Sequence, residues 1–127
     1  MARVLIVEDE PLAAMEIQES LERMGHLVPA IVDSADAVLP AALSSRPDLV
    51  IMDINLKSFA DGVDAAARLR LLSEVPLIYL TAYPGEGSRE RAMKTRPSAY
   101  LTKPVSDELL ESEVEKALGG LAPAALA

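Results

Sequence analysis

Residues 4–25 read VLIVEDEPLAAMEIQESLERMG, and this stretch decides the fold. Residues 4–7 form a short apolar run with no polar alternation, the mark of a strand covered on both faces. Three acidic residues, Glu8, Asp9 and Glu10, end it. Pro11 follows, where the first helical turn tolerates proline because the missing N–H has no partner there anyway. Ala14, Ile17, Leu21 and Met24 then recur at steps of three and four, one face of a helix. Gly25 supplies a stop. The unit is a strand, an acidic turn and a helix.

Working outward, the unit repeats. Apolar runs recur at 27–32, 49–52, 77–80 and 99–101. Ser34 is placed to cap a second helix with Ala35, Val38, Leu39 and Ala42 on one face. Asp61 is placed to cap a third, carrying Ala65, Leu69 and Leu72. Ser106 is placed to cap the last, with Leu110, Val114 and Ala117 facing inward. The fourth helix, about 86–95, is weak. Gly85 and Gly87 flank its start, and Ala92 and Met93 are its only apolar residues, so it is expected to be the least anchored element.

Five strand–helix units in series predict an α/β fold: a doubly wound five-stranded parallel sheet with helices on both faces. Pro29 interrupts the second strand, and proline in a sheet favours an edge. The order with that strand at the edge is 2-1-3-4-5, the flavodoxin-like arrangement. Ligands bind where the winding reverses, between strands one and three, beyond the carboxyl ends of the strands.

The chain of 127 residues has the size of one domain, expected over 1–118. The tail 119–127, made of Gly, Ala, Pro and Leu, is expected to fray. Twenty acidic against twelve basic residues give a net charge of −8, which repels nucleic acid and anionic lipid alike. The absence of cysteine excludes disulfides, thiolate metal sites and thiol nucleophiles. An aromatic share of 3% leaves no stacking platform for single strands. No run is long enough for a signal peptide or a membrane span, and a cytoplasmic location is expected. His26, the single histidine, cannot build a metal site alone and reads as a solvated loop residue.

The polar residues collect at strand ends. Glu8 and Asp9 end the first strand, Asp53 the third, Thr81 the fourth, and Lys103 with Pro104 the fifth. In the predicted order all of them face one crevice. Crowded carboxylates repel one another, and a hard cation offsets that repulsion. An oxygen-only donor set points to Mg²⁺, with Mn²⁺ as a substitute. Lys103 adds a point charge and Thr81 a hydroxyl donor for an anionic group arriving at Asp53. Each residue alone has a plainer reading: a solvated loop acid, a helix cap, a turn threonine, a loop-opening Lys-Pro. Their joint placement at successive strand ends favours the site.

At this point the sequence resembles the receiver domain of two-component response regulators. The segments that carry the resemblance are VLIVEDE (4–10), RPDLVIMDINL (46–56), DGVDAA (61–66), PLIYLTAY (76–83) and AYLTKPV (99–105). They stand in family order and cover the chain from about residue 3 to 118. The resemblance implies that Asp53 is the phosphoacceptor, taking a phosphoryl group from a histidine kinase or phosphotransfer protein. It implies that Asp9 binds Mg²⁺ directly and Glu8 through water, that Asp53 shares the metal, and that the Asn55 carbonyl completes the ligands. Thr81 and Lys103 are implied to hold the phosphoryl oxygens. Tyr100 matches the aromatic position whose ring turns inward as Thr81 moves. Lys103–Pro104 matches the position of a cis peptide bond. Glu8 stands where Asp is the other common choice. Tyr83 occupies a position that tunes the lifetime of the phosphoryl group in the family; covering the loop is its other reading.

The family implies a switch: phosphorylation at Asp53 biases the surface of helix four, strand five and helix five toward partner binding. It implies no enzyme activity beyond the domain's own phosphorylation and dephosphorylation. A phosphatase of the haloacid-dehalogenase type requires a second aspartate two residues after the nucleophile, and Asn55 stands there. No G-x-G-x-x-G, P-loop or hydroxyl-rich flavin loop follows the first strand. A receiver-like interaction module that never takes phosphate is the alternative function. The chain ends after its last helix, so a stand-alone regulator acting through a downstream protein target is expected, with kinase recognition on the first helix. Helix four carries Arg89, Arg91, Lys94 and Arg96, and helix five carries Asp107, Glu108, Glu111, Glu113 and Glu115. These opposite charges could support a two-fold homodimer across that face, but such charges more often mark solvated faces.

Overall fold

A computed structural model of the chain describes residues 1–82 and 87–119. Strands and helices alternate as β1 (Arg3–Val7), α1 (Pro11–Arg23), β2 (Leu27–Val32), α2 (Ala35–Ser45), β3 (Leu49–Met52), α3 (Gly62–Arg70), β4 (Leu77–Thr81), α4 (Ser88–Met93), β5 (Ala99–Thr102) and α5 (Asp107–Gly119). All neighbouring strands are parallel and the order is β2-β1-β3-β4-β5, as Pro29 indicated.

Successive strand side chains alternate between the two faces. Val4, Ile6, Leu49, Ile51, Ile78 and Leu80 pack under Ile17 and Leu21 of α1 and under Leu110, Val114 and Ala117 of α5. Leu5, Val7, Val50, Met52, Leu77 and Tyr79 pack on the other face, under residues of α2 and α3 and Ala92 of α4. Both faces of β1, β3 and β4 are therefore dry, which explains their unbroken apolar runs. Each fully buried side chain contributes about 1.5–3 kcal/mol. The edges differ. β2 alternates exposed with half-buried residues, and β5 buries none completely. Arg3 pairs with Leu27 but Leu5 with Ala30, so β2 carries an extra residue around Pro29. This irregularity blunts the free edge, where a proline costs no ladder bond.

The helix ends mostly follow the sequence. Asp61 and Asp64 form a reciprocal capping box on α3, and Ser106 accepts from the Leu109 N–H at 3.1 Å. Three expectations are corrected. Ser34 sits at the N-cap of α2 but its side chain makes no cap bond. The Ala37 N–H goes to the Ser34 carbonyl at 3.3 Å, and the Ala35 N–H donates to Ser58 Oγ at 3.1 Å, from the loop after β3, while Ser58 donates to the Ala60 carbonyl at 2.7 Å. Leu72 lies beyond α3 and is 66% exposed. The Arg70 guanidinium grips the carbonyls of Val75 at 2.6 Å and Thr95 at 2.7 Å, turning the chain toward β4 before Leu72 can continue the helix. His26 is half-buried rather than solvated, and its Nδ1 accepts from the Ala2 N–H at 3.0 Å.

Helix α4 is only six residues long and sends Ala92 into the core, while Met93 is exposed. α5 runs through Gly119, one residue past the expected boundary. Tyr83, Gly85 and the tail 120–127 lie outside the described residues.

Candidate functional site

Parallel strands end on the same side of the sheet, so Glu8, Asp9, Asp53, Thr81 and Lys103 converge there. The backbone sets their places. The Asp53 N–H donates to the Val7 carbonyl at 2.9 Å, the Glu8 N–H to Val32 and the Lys103 N–H to Thr81, both at 2.9 Å. These bonds extend the ladder just past the strand ends. Glu8, Asp53 and Thr81 are buried and Asp9 is half-buried. Carboxylate oxygens of Glu8, Asp9 and Asp53 lie within 4.8 Å of one another.

Each carboxylate is oriented by a specific donor. Asp53 Oδ1 accepts from the Asn55 N–H at 3.1 Å. Asp9 Oδ2 accepts from the Lys57 N–H at 2.7 Å, and Glu8 Oε2 from the Glu10 N–H at 3.2 Å. Lys103 Nζ donates to Glu8 Oε1 at 2.5 Å and lies 3.5 Å from Asp53 Oδ2. Asn55 Nδ2 donates to Thr81 Oγ1 at 3.1 Å, linking the β3 loop to β4. The Lys103–Pro104 peptide is cis.

The electrostatics follow from burial and charge. Burial pushes the Glu8 carboxyl above its ordinary value; the Lys103 hydrogen bond opposes this and the charge of Asp53 adds to it. Burial pulls the Lys103 ammonium down, but the Glu8 hydrogen bond and the charges of Asp53 and Glu8 outweigh it, and the net direction is up. The ammonium is therefore firmly charged, facing two buried acids.

Tyr100 lies across β4 from Tyr79, ring centroids 6.0 Å apart, with the Arg89 guanidinium 5.2 Å above its ring. Its hydroxyl is buried without a hydrogen-bond partner among the described residues.

Sequence reasoning gave no role to Gly62. A Cβ there would lie 2.0 Å from the Asp53 carbonyl oxygen, while the Gly62 N–H donates to the Ile54 carbonyl at 2.9 Å. α3 therefore starts against the main chain of Asp53. A glycine at the first helical position, a poor helix former directly after its cap, was the available signal. Lys57 and Ser58 were also missed. Lys57 acts at this site through its backbone amide, which no side-chain motif reports.

The comparisons with known proteins agree with this geometry. The sequence model of the response regulator receiver domain matches residues 4–115. The chain belongs to the response regulator receiver domain family. It is 39% identical over 117 residues to the transcriptional regulatory protein PdtaR of Mycobacterium tuberculosis, covering 91% of this chain and 56% of PdtaR. It is 35% identical over 119 residues to the phyllosphere-induced regulator PhyR of Methylorubrum extorquens, covering 91% of this chain and 43% of PhyR. The chain thus spans about half the length of these curated relatives. Its fold is similar to the crystal structure of the signal receiver domain of a modulated diguanylate cyclase from Desulfovibrio desulfuricans. The TM-score there is 0.89 at 35% identity, with 94% of this chain and 95% of the other covered.

The receiver's acidic group, Glu8, Asp9 and Asp53, is suited to hold a metal ion. Its donors are all oxygens, which fits a hard cation. Among the described residues, no helix is long and apolar enough to cross a membrane.

Proposed function

We propose that this receiver accepts a phosphoryl group on Asp53 and relays the event to the surface of α4, β5 and α5. The observation that carries the reading is the placement of one buried aspartate beside Glu8, Asp9 and a lysine ammonium, with Oδ1 held by a backbone amide. That bond leaves Oδ2, the oxygen nearer Lys103, as the attacking atom. The Oδ2–phosphorus bond forms as the bond from phosphorus to the donor breaks, and the product is a mixed anhydride. Lys103 offsets charge on the transferring oxygens, and the Thr81 hydroxyl donates to one of them. Glu8, Asp9, Asp53 and the Asn55 carbonyl would hold Mg²⁺, or Mn²⁺ in its place. When bound, the cation supplies positive charge that screens the incoming phosphoryl group from the carboxylates.

Thr81 Oγ1 accepts from Asn55 Nδ2 at 3.1 Å and so keeps its own hydrogen to donate to a phosphoryl oxygen. Tyr100, whose hydroxyl has no partner among the described residues, is the neighbour expected to respond. Tyr83 is proposed to shield the anhydride from water. The phosphodonor is proposed to be a histidine kinase or phosphotransfer protein, in the cytoplasm. It would dock along α1, beside a groove of about 690 Å³ that includes Ile17, Ser20, Pro104 and Leu110 and reaches Lys103. The output is contact with a downstream protein target, not direct contact with nucleic acid, which the net charge of −8 repels. The domain has no other catalytic role in this reading. Charge pairing between α4 and α5 of two copies is the weaker part. Arg91 and Arg96 are already paired internally, with Asp61, Asp64 and Glu74. Sedimentation after loading with beryllofluoride reads it directly, since doubled mass supports a homodimer and unchanged mass excludes one.

Incubation with acetyl phosphate and Mg²⁺, followed by intact mass spectrometry, tests the reading. One added phosphoryl group, absent from Asp53→Asn, is expected. An unmodified wild-type chain would instead favour an interaction module that is never phosphorylated.

A further inference from the structure

α4, the shortest helix among the described residues, has an attachment to the phosphoacceptor loop that does not pass through Thr81 or Tyr100. Arg91 Nη1 donates to Asp61 Oδ2 at 2.8 Å, and Arg91 Nη2 donates to Asp61 Oδ1 at 3.3 Å and Asp64 Oδ1 at 3.0 Å. These two aspartates form the capping box that starts α3. The next residue, Gly62, leaves no room for a Cβ against the Asp53 carbonyl and bonds the Ile54 carbonyl. A planar guanidinium on two carboxylates fixes direction as well as distance, unlike a lysine point charge. The C-terminal end of α4 has a second hold: Thr95 Oγ1 donates to the Ala92 carbonyl at 2.6 Å, so Tyr79 donates to Thr95 at 2.6 Å.

We propose that Arg91 is a positioning residue that couples α4 to the Asp53 loop through the α3 capping box. This rests on the reading of Asp53 as the phosphoacceptor. A rearrangement of the loop after β3 pulls on Asp61, and Arg91 carries that displacement to α4 directly. The chain then has two routes from Asp53 to its output face. One runs through Thr81 and Tyr100, and the other through Gly62, Asp61 and Arg91. Coupling demands an element that both sites bias, and α4 is suited to this because a single core residue, Ala92, anchors it.

The test is amide chemical shifts of Arg91→Ala and Arg91→Lys, free and loaded with beryllofluoride and Mg²⁺. In free Arg91→Ala, the amides of Asp53, Ile54 and Gly62 are expected to move although residue 91 lies on another helix. On loading, Arg91→Ala is expected to show less than half the wild-type shift over residues 89–95, with the Thr81 shift retained. Arg91→Lys is expected to restore part of the α4 response. Unmoved loop amides in the free variant, or a full α4 response in loaded Arg91→Ala, would reduce Arg91 to a surface ion pair and overturn the coupling. Retained far-ultraviolet circular dichroism excludes simple unfolding. A wild-type chain that shows no response to beryllofluoride contradicts the phosphoacceptor reading itself, whereas the free-state shifts test the coupling without it.

Discussion

Lys103 Nζ is bonded to Glu8 Oε1 at 2.5 Å and stands 3.5 Å from Asp53 Oδ2. The ammonium of the unphosphorylated chain is thus closer to the acid that follows β1 than to the acid that follows β3. One cation serves two buried carboxylates, so the site holds excess negative charge.

That excess makes the site a stability cost. Asp53→Asn removes one of the crowded charges and keeps the shape. It is expected to stabilise the fold by about 1 kcal/mol in metal-free buffer at neutral pH, while abolishing phosphorylation. Adding Mg²⁺ should then stabilise the wild type more than the variant, because only a bound ion shifts the folding equilibrium. Urea unfolding with and without Mg²⁺ measures both, and a less stable Asp53→Asn would contradict the charge argument.

Gly62→Ala puts a methyl group where the Asp53 carbonyl oxygen lies 2.0 Å away. The conflict is with backbone, so no side-chain rotation relieves it. A loss of about 1–3 kcal/mol is expected despite alanine's better helix propensity. Phosphorylation by acetyl phosphate should slow more than the stability loss alone explains, because Asp53 itself must shift. A variant as stable and as readily phosphorylated as wild type would show that α3 can back away freely.

The two serines near the start of α2 should behave in opposite ways. Ser58→Ala removes the acceptor for the Ala35 N–H and is expected to cost about 1 kcal/mol. Ser34→Ala, at the N-cap position itself, should cost much less, since that side chain makes no cap bond. Denaturant midpoints of the pair decide it, and the reverse ranking would restore Ser34 as the cap.

His26 predicts an acid-side weakness. Burial, with the nearby N-terminal ammonium, pulls its pKa below 6.5, against an upward pull from Glu115. The folded chain therefore prefers the neutral ring, whose Nδ1 accepts the Ala2 N–H. The stability this contributes is complete above the unfolded value of 6.5 and is lost as pH falls toward the lowered folded value. Melting temperature should fall between about pH 7.5 and 5.5, and His26→Gln should flatten that slope. An equal slope in both proteins would assign the acid sensitivity elsewhere.

Most of the architecture was legible because its signals are local. Unbroken apolar runs report strands covered on both faces, and Pro29 reported the edge that fixed the strand order. Asp61 and Ser106 cap their own helices, so the sequence beside each helix contains its cap. Ser34 misled because the Ala37 amide, which an N-cap hydroxyl could take, bonds the Ser34 main-chain carbonyl at 3.3 Å. Leu72 misled because helical spacing continues past Arg70, whose guanidinium instead bonds the Val75 carbonyl nearby and the Thr95 carbonyl far along the chain.

The site was legible for a different reason. Residues at parallel strand ends converge once the order is known, so Glu8, Asp9, Asp53, Thr81 and Lys103 could be gathered without coordinates. What escaped were contacts made by main chain or by absence: the Lys57 amide on Asp9, the missing Cβ of Gly62, and the Ala2 amide on His26. The Arg91 grip on Asp61 and Asp64 escaped as well, because the charge on α4 read as a solvated face or one side of a dimer.

An acyl phosphate on Asp53 is the chemical core of the proposed function, and borohydride reads it most directly. Reduction converts an aspartyl phosphate to homoserine and leaves free carboxylates intact. After incubation with acetyl phosphate and Mg²⁺, peptide mass spectrometry should find homoserine at position 53. It should vanish when Mg²⁺ is chelated and in Asp53→Asn. Reduction at Asp9 or Asp61 instead, or no reduced residue at all, would contradict Asp53 as the phosphoacceptor.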